Sequence, residues 1–349
     1  MSKDTLLTEN LKNMEGFNPD VDVVKDLPYK DEYINNSFFA IGHLVSEGHT
    51  LDYLYHLMSY AYPGKEPEMT YCFSITDETD KKYYQFSHAY PFSEITVATD
   101  EYEIKTPAGD LDDMHLTANM NHGAIDLHLK SIGYPIYNGG TSKFHMVGMD
   151  IYEYSIPTML TNGTLTLDGH VYEIKDQISW YDKQWQQKMP KMPEFAAKGM
   201  QKMMSQKMEK FGGFKLPVWG WMDLNLENGD KVSTWFAEEG NGENCWATVM
   251  HPDGSQRTVR VESVVATASD HWISPHAKKA QYPMTYKVVI PELEADLTVK
   301  TVVDDQELIF PENDLYNHYE GASTVEGTYQ GEKMNGYCYV ELIGDWSKK

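Results

Sequence analysis

Cysteine and long apolar runs are scarce in this chain of 349 residues. The three cysteines, Cys72, Cys245 and Cys338, lie far apart and form no CxxC or Cys/His cluster. A disulfide framework and a structural zinc site are therefore not expected. No stretch approaches the roughly eighteen apolar residues of a membrane span, and the polar start MSKDTLLTENLKNMEGFNPD lacks the apolar core of a secretory signal. We expect a cytoplasmic protein with reduced thiols.

Basic residues are also few. The chain has 29 Lys and Arg against 53 Asp and Glu, a formal net charge of −24. Such a surface repels nucleic acid, so no nucleic-acid partner is expected. The sequence has no glycine-rich phosphate loop, GxSxG motif or HExxH motif, which argues against nucleotide cofactors and serine hydrolysis. We predict neither a cofactor nor a metal site.

Aromatic residues and turn signals are plentiful, with 8 Trp and 24 Tyr. Short segments with period-two alternation recur between Asn-Gly and Asp-Gly pairs, which is typical of antiparallel strands. The segment TLTLDGHVYEI (Thr164–Ile174) predicts a hairpin with a tight turn at Asp168-Gly169. A second hairpin is predicted around Asn228-Gly229. The chain is therefore predicted to be mainly β.

A methionine-rich segment separates the two β-rich halves. From Pro193 to about Lys210 the apolar residues recur at helical spacing, with Met200 and Met204 on the apolar face. Two β-rich halves joined by an amphipathic helix favour two antiparallel sandwiches or barrels. The helix could be a lid that lines a cavity mouth with its methionines, or a connector packed on the barrels. Its lysines are compatible with transient contact with a membrane surface.

Five segments, taken in chain order, resemble the lipocalin-like carotenoid hydratase (hydroxyneurosporene synthase) family, the AttH-like proteins. They lie between roughly Gly123 and Trp346 and read YEYSIPTMLTNGTLTLDGHVYEIKDQISWYDKQW, VWGWMDLNLENGD, HWISPHAKKAQYPMTYKVVIPE, NHYEGASTVEGTYQG and GYCYVELIGDW. The resemblance implies two lipocalin-like (calycin) antiparallel β-barrel domains. It also implies relatives that add water to alkenes of carotenoids or prenylated flavonoids, and pericyclases that fold polyenes.

With this fold, we predict four parts of the chain. These are an irregular lead-in at 1–35, a first lipocalin-like domain at 36–186, the Met-rich helical insert at 187–214 and a second lipocalin-like domain at 215–349. The sequence does not define an oligomeric state.

The stretch ISWYDKQW places Asp182 among large aromatic residues. If Tyr172–Gln184 is one extended segment, Trp180, Asp182 and Gln184 share a mostly apolar face that should look inward. Burial would raise the pKa of the Asp182 carboxyl, and a carboxylic acid that keeps its proton near neutral pH can protonate an alkene. Aromatic faces could stabilise the resulting cation by about 2 kcal/mol.

The expected substrate wall consists of aromatic and methionine side chains together with Gln184. Its members are Trp180, Tyr181, Trp185, Trp219, Trp221, Met200 and Met204. A structural alternative stays open, in which Asp182 closes a barrel end by accepting backbone N–H groups or by pairing with Lys183 or a remote cation. The tryptophans would then be plain core.

Other polar residues of the same motifs favour structural interpretations. Glu320 and Glu341 are interpreted as hydrogen-bond partners that close a barrel. His115, His122 and His128 are interpreted as surface histidines rather than metal ligands.

These features favour a cofactor-independent hydratase or dehydratase, or an isomerase or cyclase. Its substrate would be a hydrophobic isoprenoid, a polyene or a prenylated phenolic compound, with Asp182 as the acid. A non-catalytic carrier of a hydrophobic small molecule is the alternative that the same architecture permits, and a pericyclase would need the cavity shape but no acid.

Overall fold

The computed structural model describes residues 19–30, 32–60, 68–91, 103–104, 108–188, 218–239, 242–262, 264–276, 280–314, 316–344 and 346. In the first half the strands are β1 (Tyr33–Ser46), β2 (His49–Tyr60), β3 (Glu68–Asp77), β4 (Lys82–Pro91), β5 (Glu103–Ile104), β6 (Ala108–Asp110), β7 (Asp113–Met120), β8 (Gly123–Ser131), β9 (Ile136–Tyr137), β10 (Lys143–Met146), β11 (Met149–Leu167) and β12 (His170–Lys188). In the second half they are β13 (Trp219–Leu226), β14 (Lys231–Glu239), β15 (Gly242–Met250), β16 (Gln256–Arg260), β17 (Trp272–Ile273), β18 (Gln281–Tyr282), β19 (Thr285–Ile290), β20 (Ala295–Thr301), β21 (Glu307–Leu308), β22 (His318–Tyr329) and β23 (Glu332–Ile343). Among the described residues, 3-10 turns cover Asn138–Gly140, Val265–Thr267 and Pro291–Leu293.

The strands form two large antiparallel sheets. The first joins β1–β12 in the order β4-β3-β2-β1-β12-β11-β8-β7-β5, with β6, β9 and β10 paired at its side. The second has the order β16-β15-β14-β13-β23-β22-β20-β19, with β21 paired to β22. Each sheet curls around its own apolar core, and we call them the first and the second barrel.

The predicted turn chemistry is present where the two hairpins close. Asp168 and Gly169 have φ of 49° and 81°, and they connect β11 to β12. Gly229 has φ of 90° between β13 and β14. Asparagine, aspartate and glycine adopt positive φ at the lowest cost, so the Asp-Gly and Asn-Gly pairs fix these reversals.

A third apolar cluster lies between the barrels rather than inside either one. It combines side chains of the first barrel, such as Phe39 and Trp180, with side chains of the second, such as Trp221 and Trp235. Residues 35–42 of β1 are all buried because one face packs in the first barrel and the other face packs against the second. Strands buried on both faces lose the polar alternation of a one-sided strand.

A β-bulge interrupts the alternation of β12. Between Ile174 and Gln177 this strand has one more residue than the facing segment of β11. Asp176 adopts a φ of 51° there, and its backbone N–H donates to Asn162 Oδ1 at 3.0 Å. Such an extra residue shifts the phase of all side chains beyond it.

The expectation of one uninterrupted alternating face over Tyr172–Gln184 is therefore wrong. Tyr172, before the bulge, and Tyr181, after it, both lie in the core of the first barrel. The even-numbered residues after the bulge point out of that barrel instead. Trp180, Asp182 and Gln184 thus face the second barrel.

The predicted Met-rich helix, with Met200 and Met204, lies outside the described residues. The four-part division of the chain stays a prediction. Among the residues that the structure describes, no helix has the length and apolar character needed to cross a bilayer.

Candidate active site

Two rows of side chains face each other across the interface between the barrels. In the first barrel, direct cross-strand pairing sets five residues side by side on β3, β2, β1, β12 and β11. In that order they are Cys72, His56, Phe39, Asp182 and Ser155. Cross-strand partners on one face of a sheet are close neighbours, so sheet pairing alone gathers residues that are distant in sequence.

The second barrel contributes a matching row from β15, β14, β13, β23 and β22. Its members are Trp246, Trp235, Trp221, Glu341 and Glu320. The rings of Phe39 and Trp221 meet edge to face at 5.4 Å. The site is therefore built from aromatic rings and carboxyl groups of both barrels.

Asp182 is buried at the centre of this arrangement, with 6% of its surface exposed. Its Oδ1 accepts a 2.7 Å hydrogen bond from the indole Nε1 of Trp180, two residues earlier on the same face. Burial raises the pKa of the Asp182 carboxyl to about 7, although hydrogen bonds from Ser155 and Trp180 act in the opposite direction. A group with this pKa is partly protonated at neutral pH, as general acid catalysis requires.

Two further carboxyl groups share the cavity with Asp182. Glu153 accepts amide hydrogen bonds from Asn138 Nδ2 at 2.8 Å and from Gln184 Nε2 at 3.0 Å. Burial, followed by the charges of Asp182 and Glu341, raises the pKa of Glu153 well above its ordinary value. Burial, Glu320 and Asp182 raise the pKa of Glu341 in the same way. Because like charges repel in a dry space, this cluster retains protons.

Aromatic rings form the remaining wall. Trp180 and Trp221 lie 5.9 Å apart with an interplanar angle of 69°, and Trp219 stacks on Trp235 at 5.7 Å. The Trp221 Nε1 donates to Ser233 Oγ at 3.0 Å. Among the described residues, none accepts a well-formed hydrogen bond from the buried Nε1 of Trp235, although this side chain acts to lower the pKa of the Glu153 carboxyl. This wall offers π faces where positive charge could develop.

A small cavity lies between these groups. It is lined by side chains from both barrels, namely Ser37, Phe39, His56, Met58, Glu153, Asp182, Gln184, Trp221, Trp235 and Glu341. Its free volume is about 20 Å³, which is room for one water molecule. A larger molecule can enter only if wall side chains move apart, and the flexible Met58 is the least costly to displace.

Glu320 is the charged end of the second row. Its Oε1 lies 3.1 Å from His56 Nδ1 and 2.8 Å from His318 Nε2. Burial alone would raise the pKa of Glu320, but the two imidazoles lower it to about 2. Burial would lower the pKa of His318, whereas the hydrogen bond and charge of Glu320 raise it above the ordinary value. The contact between His56 and Glu320 joins the two barrels.

A model of the AttH-like family matches residues 75–345 of the sequence. The chain belongs to the AttH-like family. This confirms the resemblance carried by the five motifs.

Two curated relatives are named for hydration chemistry. The chain is 22% identical to dehydratase asqC of Emericella nidulans over 239 residues, which are 66% of this chain and 61% of that protein. It is 22% identical to kievitone hydratase of Fusarium solani subsp. phaseoli over 242 residues, 68% of this chain and 61% of that protein. The matched part thus spans 61% of the length of each relative.

Solved structures show the same fold. The crystal structure of kievitone hydratase from Nectria haematococca superposes with a TM-score of 0.73 at 19% identity and covers 94% of both chains. An AttH protein of Nitrosomonas europaea gives a TM-score of 0.71 at 16% identity, covering 93% of this chain and 97% of that one. The expected pair of lipocalin-like barrels is confirmed.

Within this AttH-like fold, the predicted site residues fall into three groups. Trp180, Gln184, Trp219 and Trp221 lie with Asp182 between the barrels. Two others do not. Tyr181 and Trp185 belong to the core of the first barrel, because odd-numbered residues of β12 point inward after the bulge. Met200 and Met204 lie outside the described residues.

The structural alternative for Asp182 that invoked Lys183 is wrong. Lys183 points to the opposite face of β12, where its ammonium lies 4.3 Å from the ring centre of Phe38. Neighbours in a strand face opposite sides of the sheet, so the two side chains cannot pair.

Sequence reasoning missed several site residues. Glu153 and Ser155 alternate along β11 within the YEYS motif, which is the one signal that could have placed them on the Asp182 face. Glu341 lines the cavity, and Glu320 contacts His56 of the first barrel as well as His318 of its own strand. Their role as hydrogen-bond partners that close a barrel stays a prediction. Nothing in the local sequence marks Phe39 or His56.

The surface histidines lie away from this site. His115 and His128 face each other on β7 and β8 with rings stacked at 4.4 Å, paired to Asp126 and Asp113. His122 contacts Asp168 at a surface turn.

Proposed function

We propose that this chain is a hydratase or dehydratase that adds water to, or removes it from, a carbon–carbon double bond of an apolar small molecule, with Asp182 as the proton donor. One observation carries the proposal: Asp182 is a buried acid with a pKa of about 7, set among Trp180, Trp221 and Phe39. The hydratase and the dehydratase similar to this chain support the reaction class.

The reaction requires a proton, a stabilised cation and a water molecule. In hydration, the carboxyl proton of Asp182 forms a C–H bond at one alkene carbon, and the π electrons leave a carbocation at the other. The faces of Trp221 and Trp180 stabilise that cation. Water then forms the C–O bond, and its proton returns to the Asp182 carboxylate. Dehydration is the same sequence reversed.

Glu153 and Glu341 are proposed to hold the attacking water. Both line the cavity with Asp182, and that cavity has the volume of one water molecule. The amide groups of Asn138 and Gln184 fix the Glu153 carboxyl in place. Fixed polar groups at the reacting atoms remove the cost of reorganising solvent.

The side chains of the wall support the proposed substrate class. The rings of the wall and Met58 favour an apolar isoprenoid, polyene or prenylated phenolic molecule over a charged one. The family to which the chain belongs supports this choice, and the cavity must widen to admit such a substrate.

The test is an assay with phenols that carry a 3-methylbut-2-enyl group, run in ¹⁸O-labelled water. The wild type should incorporate one labelled oxygen into a tertiary alcohol. Asp182→Asn should lower turnover by about 10²–10⁴-fold while ligand affinity, followed by tryptophan fluorescence, is retained. The control is Asp230→Asn, a buried acid of the second barrel that bonds Tyr329 and His251 and should keep its turnover.

Two outcomes would overturn the proposal. Equal turnover in Asp182→Asn would show that the acid is not the proton donor and that cavity shape alone acts. Tight binding without turnover in the wild type would identify a carrier. For the proposed acid, the wild-type rate should fall as the pH rises through about 7, because Asp182 then loses its proton.

A further inference from the structure

The strongest unexplained feature is the convergence of His56, His318 and Glu320 at the edge of the interface. One ligand atom from each, His56 Nδ1, His318 Nε2 and a Glu320 oxygen, lies within 4.8 Å of the other two. Glu320 and His56 are fully or nearly fully buried, and the side chain of His318 is 12% exposed. The proposed reaction uses none of the three.

In each imidazole, the ring nitrogen that does not face Glu320 has a hydrogen-bond partner. His318 Nδ1 lies 2.6 Å from the carbonyl oxygen of Tyr316, and His56 Nε2 lies 3.0 Å from Ser37 Oγ. Metal-binding histidines almost always donate their second N–H to a carbonyl, hydroxyl or carboxylate. His56 Nδ1 and His318 Nε2 both point at Glu320 Oε1, the geometry in which a metal ion placed between the three atoms would receive a lone pair from each.

The facing atoms require something positive between them. When His318 Nδ1–H donates to Tyr316, the Nε2 of a neutral ring presents a lone pair to a lone pair of Glu320 Oε1, only 2.8 Å away. The second oxygen of Glu320, Oε2, is buried and has no hydrogen-bond partner among the described residues. A proton could occupy this position, but a metal ion would satisfy both imidazoles and both carboxylate oxygens.

We propose that His56, His318 and Glu320 form a binding site for a divalent transition-metal ion, best matched by Zn²⁺. Two imidazoles and one carboxylate are an established zinc donor set that leaves a position open for water. Ligand atoms around tetrahedral zinc are roughly 3.3 Å apart, so the observed 2.8 and 3.1 Å contacts need only a slight opening. The exposed edge of His318 gives a metal ion access to the site from solvent.

This inference does not depend on the proposed function, since no step of the hydration passes through these residues. The surface cluster of His115, His128 and Asp126 also brings three ligand atoms within 4.8 Å, but it is exposed. This exposed cluster therefore serves as the control for adventitious metal binding.

The experiment uses the full chain, purified without a histidine tag or chelator, and measures metal content by plasma mass spectrometry. Zn²⁺ is then titrated into the metal-free protein against a chromogenic chelator. We expect one tight equivalent in the wild type and in His115→Ala, and affinity at least about 100-fold weaker in His318→Ala and Glu320→Gln. Zn²⁺ should raise the unfolding temperature of the wild type and of His115→Ala only.

The visible absorption spectrum of the wild type with bound Co²⁺ is a second measurement that does not depend on whether the variants fold. Co²⁺ in the proposed site should give the intense visible bands of four- or five-coordinate cobalt, which six-coordinate surface ions do not show. Absence of a tight equivalent in the wild type would overturn the proposal and leave a proton between His318 and Glu320. Loss of binding in His115→Ala with retention in His318→Ala would overturn it as well, in favour of the surface cluster.

Discussion

Replacing Asp182 with asparagine should stabilise the protein at alkaline pH and change its stability little in acid. Asparagine keeps the size of the side chain and an oxygen that can accept the Trp180 indole N–H. What it removes is the ability to ionise. The variant therefore isolates the free energy of placing a charge in the cavity.

The sign and size of this difference in stability follow from the protons bound by the folded and unfolded chains. Burial raises the Asp182 pKa from 3.8 to about 7, so between these values the unfolded chain has lost a proton that the folded chain keeps. Stability from this group is complete below pH 3.8 and is lost as the pH rises to about 7. From pH 5 to the pKa of about 7 is about two pH units, and each unit is worth about 1.4 kcal/mol. The wild type should therefore lose up to about 3 kcal/mol of stability relative to the variant between pH 5 and pH 8.

The assay is urea unfolding of both proteins, followed by tryptophan fluorescence at pH 5, 6, 7 and 8. Comparing the variant with the wild type cancels the shared contributions of Glu153 and Glu341 to the extent that they are unchanged. Asp150→Asn, at a carboxylate 61% exposed on β11, is the control and should differ from the wild type by under about 0.5 kcal/mol at every pH. A difference between Asp182→Asn and the wild type that does not grow with pH would refute the claim that burial holds this acid neutral.

Three other substitutions test the packing by the same unfolding measurement. The described polar contacts of Lys183 are long, at 3.4–3.5 Å, and burial lowers its pKa from 10.5 to about 7. Lys183→Met should therefore gain up to about 5 kcal/mol at pH 6. This gain should shrink from pH 7 to 10.5, and an equal gain at pH 10 would contradict the reasoning. Gly42→Ala should cost about 1–3 kcal/mol, because its Cβ would lie 2.3 Å from Tyr53 Cε1, and a neutral effect would show that β1 can shift. Trp221→Ala should cost roughly 3–5 kcal/mol through lost packing on Phe39 and Trp180, whereas a loss below about 1 kcal/mol would mean that the two faces are not tightly packed.

The strands and hairpins were predictable because their signals are local. Period-two alternation and the Asp-Gly and Asn-Gly turns specify hairpins without knowledge of distant residues. The pairing of β1 with β12, which brings Phe39 beside Asp182, joins residues from opposite ends of the first barrel. No local pattern encodes that register, so only the resemblance to a known family could supply the barrel.

The site was predictable only in part, for a physical reason of the same kind. Asp182, Trp180 and Trp221 stand out as an acid and large rings within short motifs. Glu153 and Glu341 look like ordinary acids of alternating strands until sheet pairing and interface packing bury them. The bulge at Asp176 was the most consequential omission, because one extra residue turned the Asp182 face out of the first barrel. Tyr181 and Trp185, on the opposite face of β12, therefore lie in the core of that barrel.

The acidity of Asp182 is a property of the two barrels together. The face of β12 that carries Asp182 and Trp180 is the outer face of the first barrel, and on a lone barrel it would be wet. Water would then stabilise the carboxylate, and the main cause of the raised pKa would disappear. The second barrel removes that water with Trp221 and places Glu341 opposite. A carboxyl group with so high a pKa therefore requires both barrels, which gives a physical reason for pairing lipocalin-like units whose own interiors are already filled by side chains.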